Sequence, residues 1–247
     1  MKKHFKLLVF ISALFIVFLT YRIFQYKTTE INYIALGDSV AEGMGPYGAV
    51  GYGYPDYISD YLKSKERLNF YTKGFSKSGY TVADVKRDIE NNKTITVNKQ
   101  KVNIKEALRE SDLVTISIGA NDFIRGLSLD NFTTKLEDIK ATKKEIDEIG
   151  LDVKELIELI KDYAKGEIIL IGYYNPLPRI EYYKDEIDEL VKYSNHIYEE
   201  ICDDLDITYV DVFDEFERNK DYLPNSLDIH PSIKGYEAIA NKIIKEL

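Results

Sequence analysis

From residue 31 onward, short apolar runs alternate with longer segments in which apolar residues recur at helical spacing. The short runs are rich in aliphatic and aromatic residues, which is typical of strands buried on both faces. These runs are Tyr33–Leu36, Leu68–Tyr71, Leu113–Ile118, Glu167–Ile171 and Thr208–Val210. The helical segments are Tyr54–Lys65, Val82–Asn91, Ile104–Glu110, Leu136–Ala164, Tyr182–Leu205 and Tyr236–Leu247. The alternation predicts an α/β domain with a parallel sheet covered by helices.

One stretch of this pattern, residues 130–165, is a long charged insertion. Its apolar positions fit one or two amphipathic helices. They are Leu136, Ile139, Ile146, Ile149, Val153, Leu156, Ile157 and Ile160. Such a stripe is typical of a helix packed against the sheet, with a mobile cover over an active site as the alternative.

The N-terminal segment has a different character. Three lysines, Lys2, Lys3 and Lys6, precede the apolar run at residues 7–21, and Arg22 follows it. A cationic start before an apolar run is the order found in export signals and membrane anchors. We therefore expect this segment to direct the chain to a membrane.

The region after the apolar run contains no small-residue cleavage site. An uncleaved single-pass helix is therefore favoured over a cleaved signal peptide or a buried core helix. Lysines before the span place the N-terminus in the cytoplasm and the rest of the chain outside it. We predict two parts, a membrane anchor or signal segment at residues 1–30 and one globular domain at residues 31–247.

Length and charge limit what this domain can be. A chain of 247 residues suits a single domain with a substantial core. The net charge is −9 although the first 30 residues are cationic, so the domain itself is strongly acidic. An acidic domain argues against a nucleic-acid partner, because binding phosphates requires clustered cationic side chains.

The single cysteine, Cys202, lies within a helical pattern and cannot form an internal disulfide. We expect it to be a small buried hydrophobic residue. No cluster of cysteines and histidines has the spacing of metal ligands, so we expect no metal site.

Candidate chemistry begins in the segment IALGDSVAEG, residues 34–43. Gly37 permits a tight turn at the end of a strand, and Ser39 stands where the next helix begins. A nucleophile at that point is surrounded by backbone N–H groups at the carboxyl edge of the sheet. Since Asp and Ser are also common helix caps, Gly-Asp-Ser is weak evidence when taken alone.

Two further segments supply candidate hydrogen-bond donors. In KSGYT, residues 77–81, Gly79 lets a backbone N–H approach a ligand closely. In SIGANDF, residues 117–123, the side-chain amide of Asn121 follows a buried strand and can donate to a developing oxyanion. Either segment taken alone is also typical of an ordinary turn.

The fourth segment, LPNSLDIHPSIKGYE at residues 223–237, contains His230. Pro231 restricts the histidine backbone to an extended or turn conformation. A neutral imidazole here can take the proton of Ser39 and return it to a leaving alcohol. A lone histidine in a loop is often a bystander, so this segment gains weight only beside the other three.

In their order along the chain, these four segments resemble the SGNH hydrolase family, also called GDSL esterases and lipases. The resemblance covers about residues 32–247 and implies a flavodoxin-like three-layer sandwich with a five-stranded parallel sheet, here preceded by the N-terminal membrane helix. It implies that Ser39 is the nucleophile and His230 the general base. It further implies an oxyanion hole formed by the N–H groups of Ser39 and Gly79 and the amide of Asn121. No metal or organic cofactor is implied.

One position departs from the family pattern. The usual acid lies three residues before the histidine, where this chain has Leu227. Asp228 lies two residues before it, and in an extended segment residues two apart point the same way. Asp228 is therefore expected to reach His230, with a backbone carbonyl, and hence a Ser-His dyad, as the alternative. The motif residues Asp38 and Asp122 are expected to hold loop geometry.

The resemblance implies a serine ester hydrolase, a GDSL-type lipase or acylhydrolase whose partner is a small-molecule or polymer-borne ester. The N-terminal segment leads us to expect that this domain is extracytoplasmic. A carbohydrate O-acetyl esterase acting on cell-envelope polysaccharide is the alternative within the enzyme class. A catalytically silent envelope-binding protein is the alternative outside it, because Leu227 stands where the acid is expected. Tyr47, Tyr52 and Tyr54 suit stacking on sugars, lining an acyl groove or simple packing, so the sequence leaves the substrate open.

Overall fold

A computed structural model of the chain describes residues 10–20, 30–125, 138–177 and 181–247. Five parallel strands form its central sheet, namely β1 (Ile31–Gly37), β2 (Leu68–Thr72), β5 (Leu113–Ser117), β6 (Glu167–Ile171) and β7 (Thr208–Val210). Their order is β2-β1-β5-β6-β7, the order of flavodoxin-like sheets. The predicted α/β fold with a five-stranded parallel sheet is confirmed.

Helices pack on both faces of the sheet, because successive side chains of each buried strand point to opposite sides. The helices are α1 (Ser39–Glu42), α2 (Tyr54–Ser64), α3 (Val82–Glu90), α4 (Ile104–Arg109), α5 (Ala120–Arg125), α6 (Ile139–Lys161), α7 (Lys184–Leu205), α8 (Phe213–Arg218) and α9 (Ile233–Ile244). From β1, Ile34 and Leu36 join the core beneath α3, α4, α6 and α7. Tyr33 and Ala35 join the opposite core beneath α2, α8 and α9. The result is a three-layer sandwich.

A small hairpin between α3 and α4 did not follow from the sequence pattern. Its strands are β3 (Thr94–Val97) and β4 (Gln100–Asn103), paired antiparallel. The two turn residues, Asn98 and Lys99, both have positive φ, at 50° and 68°. Two successive positive φ values match the tight hairpin turn whose twist suits the flanking strands.

The charged insertion forms one helix over most of its length. In α6, the side chains of Val153, Leu156, Ile157 and Ile160 are fully buried in the core. Packing against the sheet therefore accounts for this part of the stripe. Leu136 and the rest of the insertion before residue 138 lie outside the described residues.

The described part of the N-terminal segment, residues 10–20, is helical. Its large apolar side chains are between 42% and 63% exposed, so they do not pack on the domain. Within the described ranges, the structure contains no helix that is both long enough and apolar enough to span a membrane. The flanking parts of the predicted anchor, residues 1–9 and 21–29, lie outside those ranges.

The end of β1 fixes the position of the candidate site. Gly37 has φ of +133°, and a Cβ on it would lie 1.9 Å from the backbone oxygen of Ser117 on β5. Only glycine fits there, and the next residue, Asp38, donates its N–H to the same oxygen at 2.9 Å. The chain runs from β1 to β2 on one side and then crosses back to β5 on the other side of β1. Ser39 therefore lies at the switch point of the sheet, where open α/β sheets bind ligands.

Candidate active site

Ser39 and His230 meet at this edge of the sheet. Ser39 is the first residue of α1, and its side chain is almost buried. Its Oγ lies 2.8 Å from the Nε2 of His230, although the two residues are 191 positions apart in the sequence. The loop that precedes α9 therefore brings the imidazole within hydrogen-bond distance of the hydroxyl.

Asp228 lies on the far side of the imidazole. Its Oδ1 is 2.6 Å from the Nδ1 of His230 and also accepts the backbone N–H of His230 at 2.8 Å. With the Nδ1 proton shared with a carboxylate, Nε2 is left facing Ser39 as an acceptor. The side chain of Leu227 is 93% exposed and takes no part in this contact.

Two hydrogen bonds hold the histidine loop in place. The Tyr174 hydroxyl donates to the backbone oxygen of Ile229 at 2.8 Å. The Asn225 amide donates to the backbone oxygen of Pro46 at 2.7 Å. These contacts tie the loop to the end of β6 and to the Gly-rich loop after α1, and sequence reasoning did not identify either residue.

The loop containing Gly79 is held against β1 and α1. The Lys77 N–H donates to the backbone oxygen of Gly37 at 3.1 Å. The Glu42 carboxylate accepts the N–H of Ser78 at 2.7 Å and also its hydroxyl. Gly79 itself has φ of +79°, which favours glycine. Glu42 was not singled out from the sequence, although it lies in the Ser39 segment one helical turn after the serine.

From the other side, α5 holds the same loop. Asn121 donates its side-chain Nδ2 to the backbone oxygen of Tyr80 at 2.9 Å. Arg125 donates to the backbone oxygen of Gly79 at 2.7 Å. Asp122 accepts the N–H of Val82 at 3.1 Å. Asn121 also lines the same cavity as Ser39, so this predicted donor lies near the nucleophile.

Burial has a strong electrostatic effect on the carboxyl group of Asp38, which is only 2% exposed. Its Oδ1 accepts the N–H of Val40 at 3.0 Å and so caps α1. Loss of solvation raises the pKa of Asp38 to about 7, and hydrogen bonding from Val40 offsets only part of that effect. Burial likewise raises the pKa of Asp122.

An apolar cavity of about 200 Å³ opens beside the serine. It extends from Ser39 between the ends of β5 and β6 toward α6 and α7, where Ile146 and Leu190 line it. Tyr54 is fully buried and bonded to Thr115, so it serves packing. Tyr47 and Tyr52 are exposed, at 78% and 44%.

Cys202 is buried in α7, as expected for a small hydrophobic residue. Burial raises the pKa of its thiol to about 12, so the thiolate is disfavoured at neutral pH.

Comparison with known proteins gives consistent similarities. The sequence model of the GDSL-like lipase/acylhydrolase family matches residues 35–238. The chain is 27% identical over 224 residues to the spore germination lipase LipC of Bacillus licheniformis, covering 86% of this chain and 94% of the relative. It is also 27% identical over 232 residues to an acetylxylan esterase of Geobacillus stearothermophilus, covering 86% and 91%.

Solved structures show the same fold. The lipase Lip_vut3 from a goat rumen metagenome superposes with a TM-score of 0.68 at 22% identity, covering 88% of this chain and 97% of the other. The acetylxylan esterase Axe2 of Geobacillus stearothermophilus superposes with a TM-score of 0.59 at 22% identity, covering 90% and 95%.

Proposed function

Because the chain belongs to the GDSL-like lipase/acylhydrolase family and is a carboxylic ester hydrolase, we propose that it cleaves esters through Ser39, His230 and Asp228. One observation carries this proposal. Hydrogen bonds of 2.6 and 2.8 Å run from Asp228 through the imidazole to the Ser39 hydroxyl. In that arrangement the imidazole accepts the serine proton while the serine oxygen attacks a carbonyl.

The reaction proceeds in two halves. Ser39 Oγ bonds to the carbonyl carbon as its proton passes to His230 Nε2, and the carbonyl electron pair moves onto oxygen. Collapse of this intermediate breaks the bond to the alcohol, which leaves with the proton from His230. Water, deprotonated by His230, then attacks the acyl carbon, the bond to Ser39 Oγ breaks, and His230 returns the proton to Oγ as the acid leaves. Asp228 remains ionised throughout.

The oxyanion is stabilised by donors around Ser39. We assign this role to the N–H of Ser39 at the start of α1, the N–H of Gly79 and the amide of Asn121. One hydrogen of the Asn121 amide is used by the Tyr80 oxygen, and the amide group carries a second. Removing one such donor typically lowers turnover by about 10²–10³-fold.

The N-terminal segment supports a location at a membrane. The proposed arrangement is a single-pass anchor with the catalytic domain outside the cytoplasm, or a secreted domain if the segment is cleaved. It is supported by Lys2, Lys3 and Lys6 before the apolar run and by the exposure of the apolar side chains on helical residues 10–20. Exposed apolar surface of this kind is typical of segments that contact a membrane or a partner.

The test is the Ser39→Ala variant. We expect hydrolysis of p-nitrophenyl butyrate to fall by at least about 10³-fold, because the remaining donors cannot replace a nucleophile. A fluorophosphonate probe should label the unaltered protein and should not label Ser39→Ala. The exposed residue Ser64 on α2 provides the control, since Ser64→Ala should change neither readout.

Two outcomes would contradict the proposal. Turnover of Ser39→Ala at the wild-type rate would show that Ser39 is not the nucleophile. Absence of both labelling and turnover in the unaltered, folded protein would favour the catalytically silent binding protein instead.

A further inference from the structure

The cavity beside Ser39 is lined mostly by aliphatic and aromatic side chains. Its far end is formed by Ile146 of α6 and by Ile187 and Leu190 of α7, which pack together as a buried cluster. Its near end includes Ser39 itself. A group that enters the cavity from the reacting carbonyl therefore passes from the nucleophile into an aliphatic environment.

The tyrosines along this cavity do not offer free hydroxyls. Tyr173 and Tyr198 donate to the backbone oxygen of Ile118 at 2.7 and 2.8 Å. Tyr174 donates to the backbone oxygen of Ile229 at 2.8 Å. Their rings rather than their polar ends are thus available to an occupant.

The hydroxyl of Ser194, on the α7 wall, is also occupied, because it donates to the Leu190 oxygen one turn earlier at 2.9 Å. Away from the polar residues at the Ser39 end, namely Asp38, Ser117 and Asn121, a sugar ring in this cavity would lose water while gaining few partners for its hydroxyls, which is unfavourable. A methylene chain would lose only contact with water, which is favourable. The walls therefore select an aliphatic occupant.

Volume sets the length of that occupant. A cavity of about 150 Å³ is enough for benzene, with six carbons. By the same measure, the cavity of about 200 Å³ holds about six to eight carbons. An acetyl group would leave most of it empty.

We propose that this cavity binds the acyl chain of the substrate, and that the enzyme prefers esters of straight acyl chains of about six to eight carbons over acetyl esters. The inference rests on the proposed function, because it takes Ser39 as the residue that is acylated. In this proposal the acyl part of the ester lies in the cavity, and the alcohol part lies at the solvent-facing rim.

The first experiment measures kcat/KM for p-nitrophenyl esters from acetyl to dodecanoyl, each below its critical micelle concentration. Each buried methylene should raise kcat/KM by about three- to fourfold. Hexanoyl should therefore exceed acetyl by about 100-fold, and the increase should end near octanoyl. A profile that peaks at acetyl, or faster release of acetate from acetylated xylooligosaccharide than hydrolysis of the hexanoyl ester, would overturn the inference.

The second experiment fills the cavity with Ser194→Phe. The benzyl group should occupy the space of the distal chain, so kcat/KM for the octanoyl ester should fall at least tenfold while that for the acetyl ester stays within about twofold. The matched control is His196→Phe, on the same helix, where the native side chain is 62% exposed and the new ring faces solvent. Equal effects of Ser194→Phe on both esters would overturn the inference.

The result from the unaltered enzyme does not depend on whether Ser194→Phe folds. If acetyl ester turnover requires Ser39 but the chain-length profile is flat, the acyl cavity is refuted and the proposed function stands. If no ester shows turnover that depends on Ser39, the proposed function itself fails and the inference fails with it.

Discussion

Asp228 contacts His230 from a position one residue nearer along the chain than the family pattern places the acid. The contact is possible because side chains two residues apart in an extended segment point the same way. Its Oδ1 accepts from both the ring and the backbone of His230. Leu227, at the usual position, points its side chain to solvent. At the scale of single residues, Asp228 is therefore the structural candidate for the acid, despite the altered spacing.

The Asp228→Asn variant tests that function. An amide in place of the carboxylate should favour the wrong tautomer of His230, lowering kcat by about 10²–10⁴-fold with little change in KM. Leu227→Ala is the neighbouring control and should leave kcat unchanged. Full activity of Asp228→Ala would instead support the dyad, with a backbone carbonyl orienting the imidazole.

Asp38 gives a prediction about stability and pH. Its pKa of about 7 in the folded protein lies above the value of about 3.9 for an unfolded aspartate, so the folded state binds the proton more tightly. The contribution of this group to stability therefore falls as pH rises from about 4 to about 7. Asp38→Asn removes the titration and keeps an oxygen for the Val40 N–H.

Urea unfolding of both proteins at about pH 5 and about pH 8 measures the effect. The free energy of unfolding of Asp38→Asn, relative to the unaltered protein, should be higher at the upper pH than at the lower. A difference that stays constant between the two values would show that Asp38 does not titrate in this range.

At the scale of elements, the loop at residues 77–81 is fixed by two helices. From α1, Glu42 accepts from Ser78, and from α5, Asn121 and Arg125 donate to the loop carbonyls. Two helices thus hold the position of the Gly79 N–H. Since the oxyanion donor that we propose acts only in a narrow range of distance, we expect these element contacts to affect catalysis as well as packing.

Glu42→Gln and Glu42→Ala test this positioning effect. Glutamine keeps one acceptor oxygen for Ser78, whereas alanine keeps none. We expect kcat to fall by about threefold for Gln and by about tenfold or more for Ala, with KM nearly unchanged, because the loss falls on the transition state. Equal KM increases without a change in kcat would instead indicate a role in substrate binding.

Much of this arrangement was predictable from sequence periodicity. The five strands of the sheet and the five helices of nine or more residues show their pattern clearly, and the segments of Ser39 and Asn121 directly follow strands as expected. The hairpin at β3 and β4 was missed because β4 contains a single apolar residue, Val102, and because the turn uses Asn98-Lys99 instead of a glycine. Helices α5 and α8 were not predicted, because six residues seldom show a clear helical period.

The partners within the site were harder to foresee. Asp228 was placed beside His230 by reach alone, with a backbone carbonyl as the alternative. The partners of Glu42 and Arg125 lie 36 and 46 residues away. A single sequence carries no local signal for contacts of that separation, because they depend on how whole elements dock.

At the scale of the whole molecule, an acidic domain follows a cationic, apolar N-terminal segment. The apolar side chains at residues 10–20 are exposed, so the domain does not bury them. We therefore expect the full chain to sediment with membranes and to resist extraction by high salt. A chain of residues 31–247 should remain in the soluble fraction with unchanged kcat for p-nitrophenyl butyrate.

Immunoblotting of the membrane and soluble fractions, with the esterase assay run on each, measures how the chain is distributed between them. Recovery of the full chain in the soluble fraction at its unshortened mass would contradict the anchor. A shortened product in the medium would identify the secreted form.

Oδ1 of Asp228 accepts from both the backbone N–H and the ring of His230, so the two residues stay paired when the loop moves. The proposed acid and base lie on one three-residue stretch before α9, and the Tyr174 and Asn225 hydrogen bonds hold that stretch in place. A local opening of this loop by heat or mild denaturant should therefore move Asp228 and His230 away from Ser39 together, leaving an aligned imidazole without a hydroxyl to deprotonate.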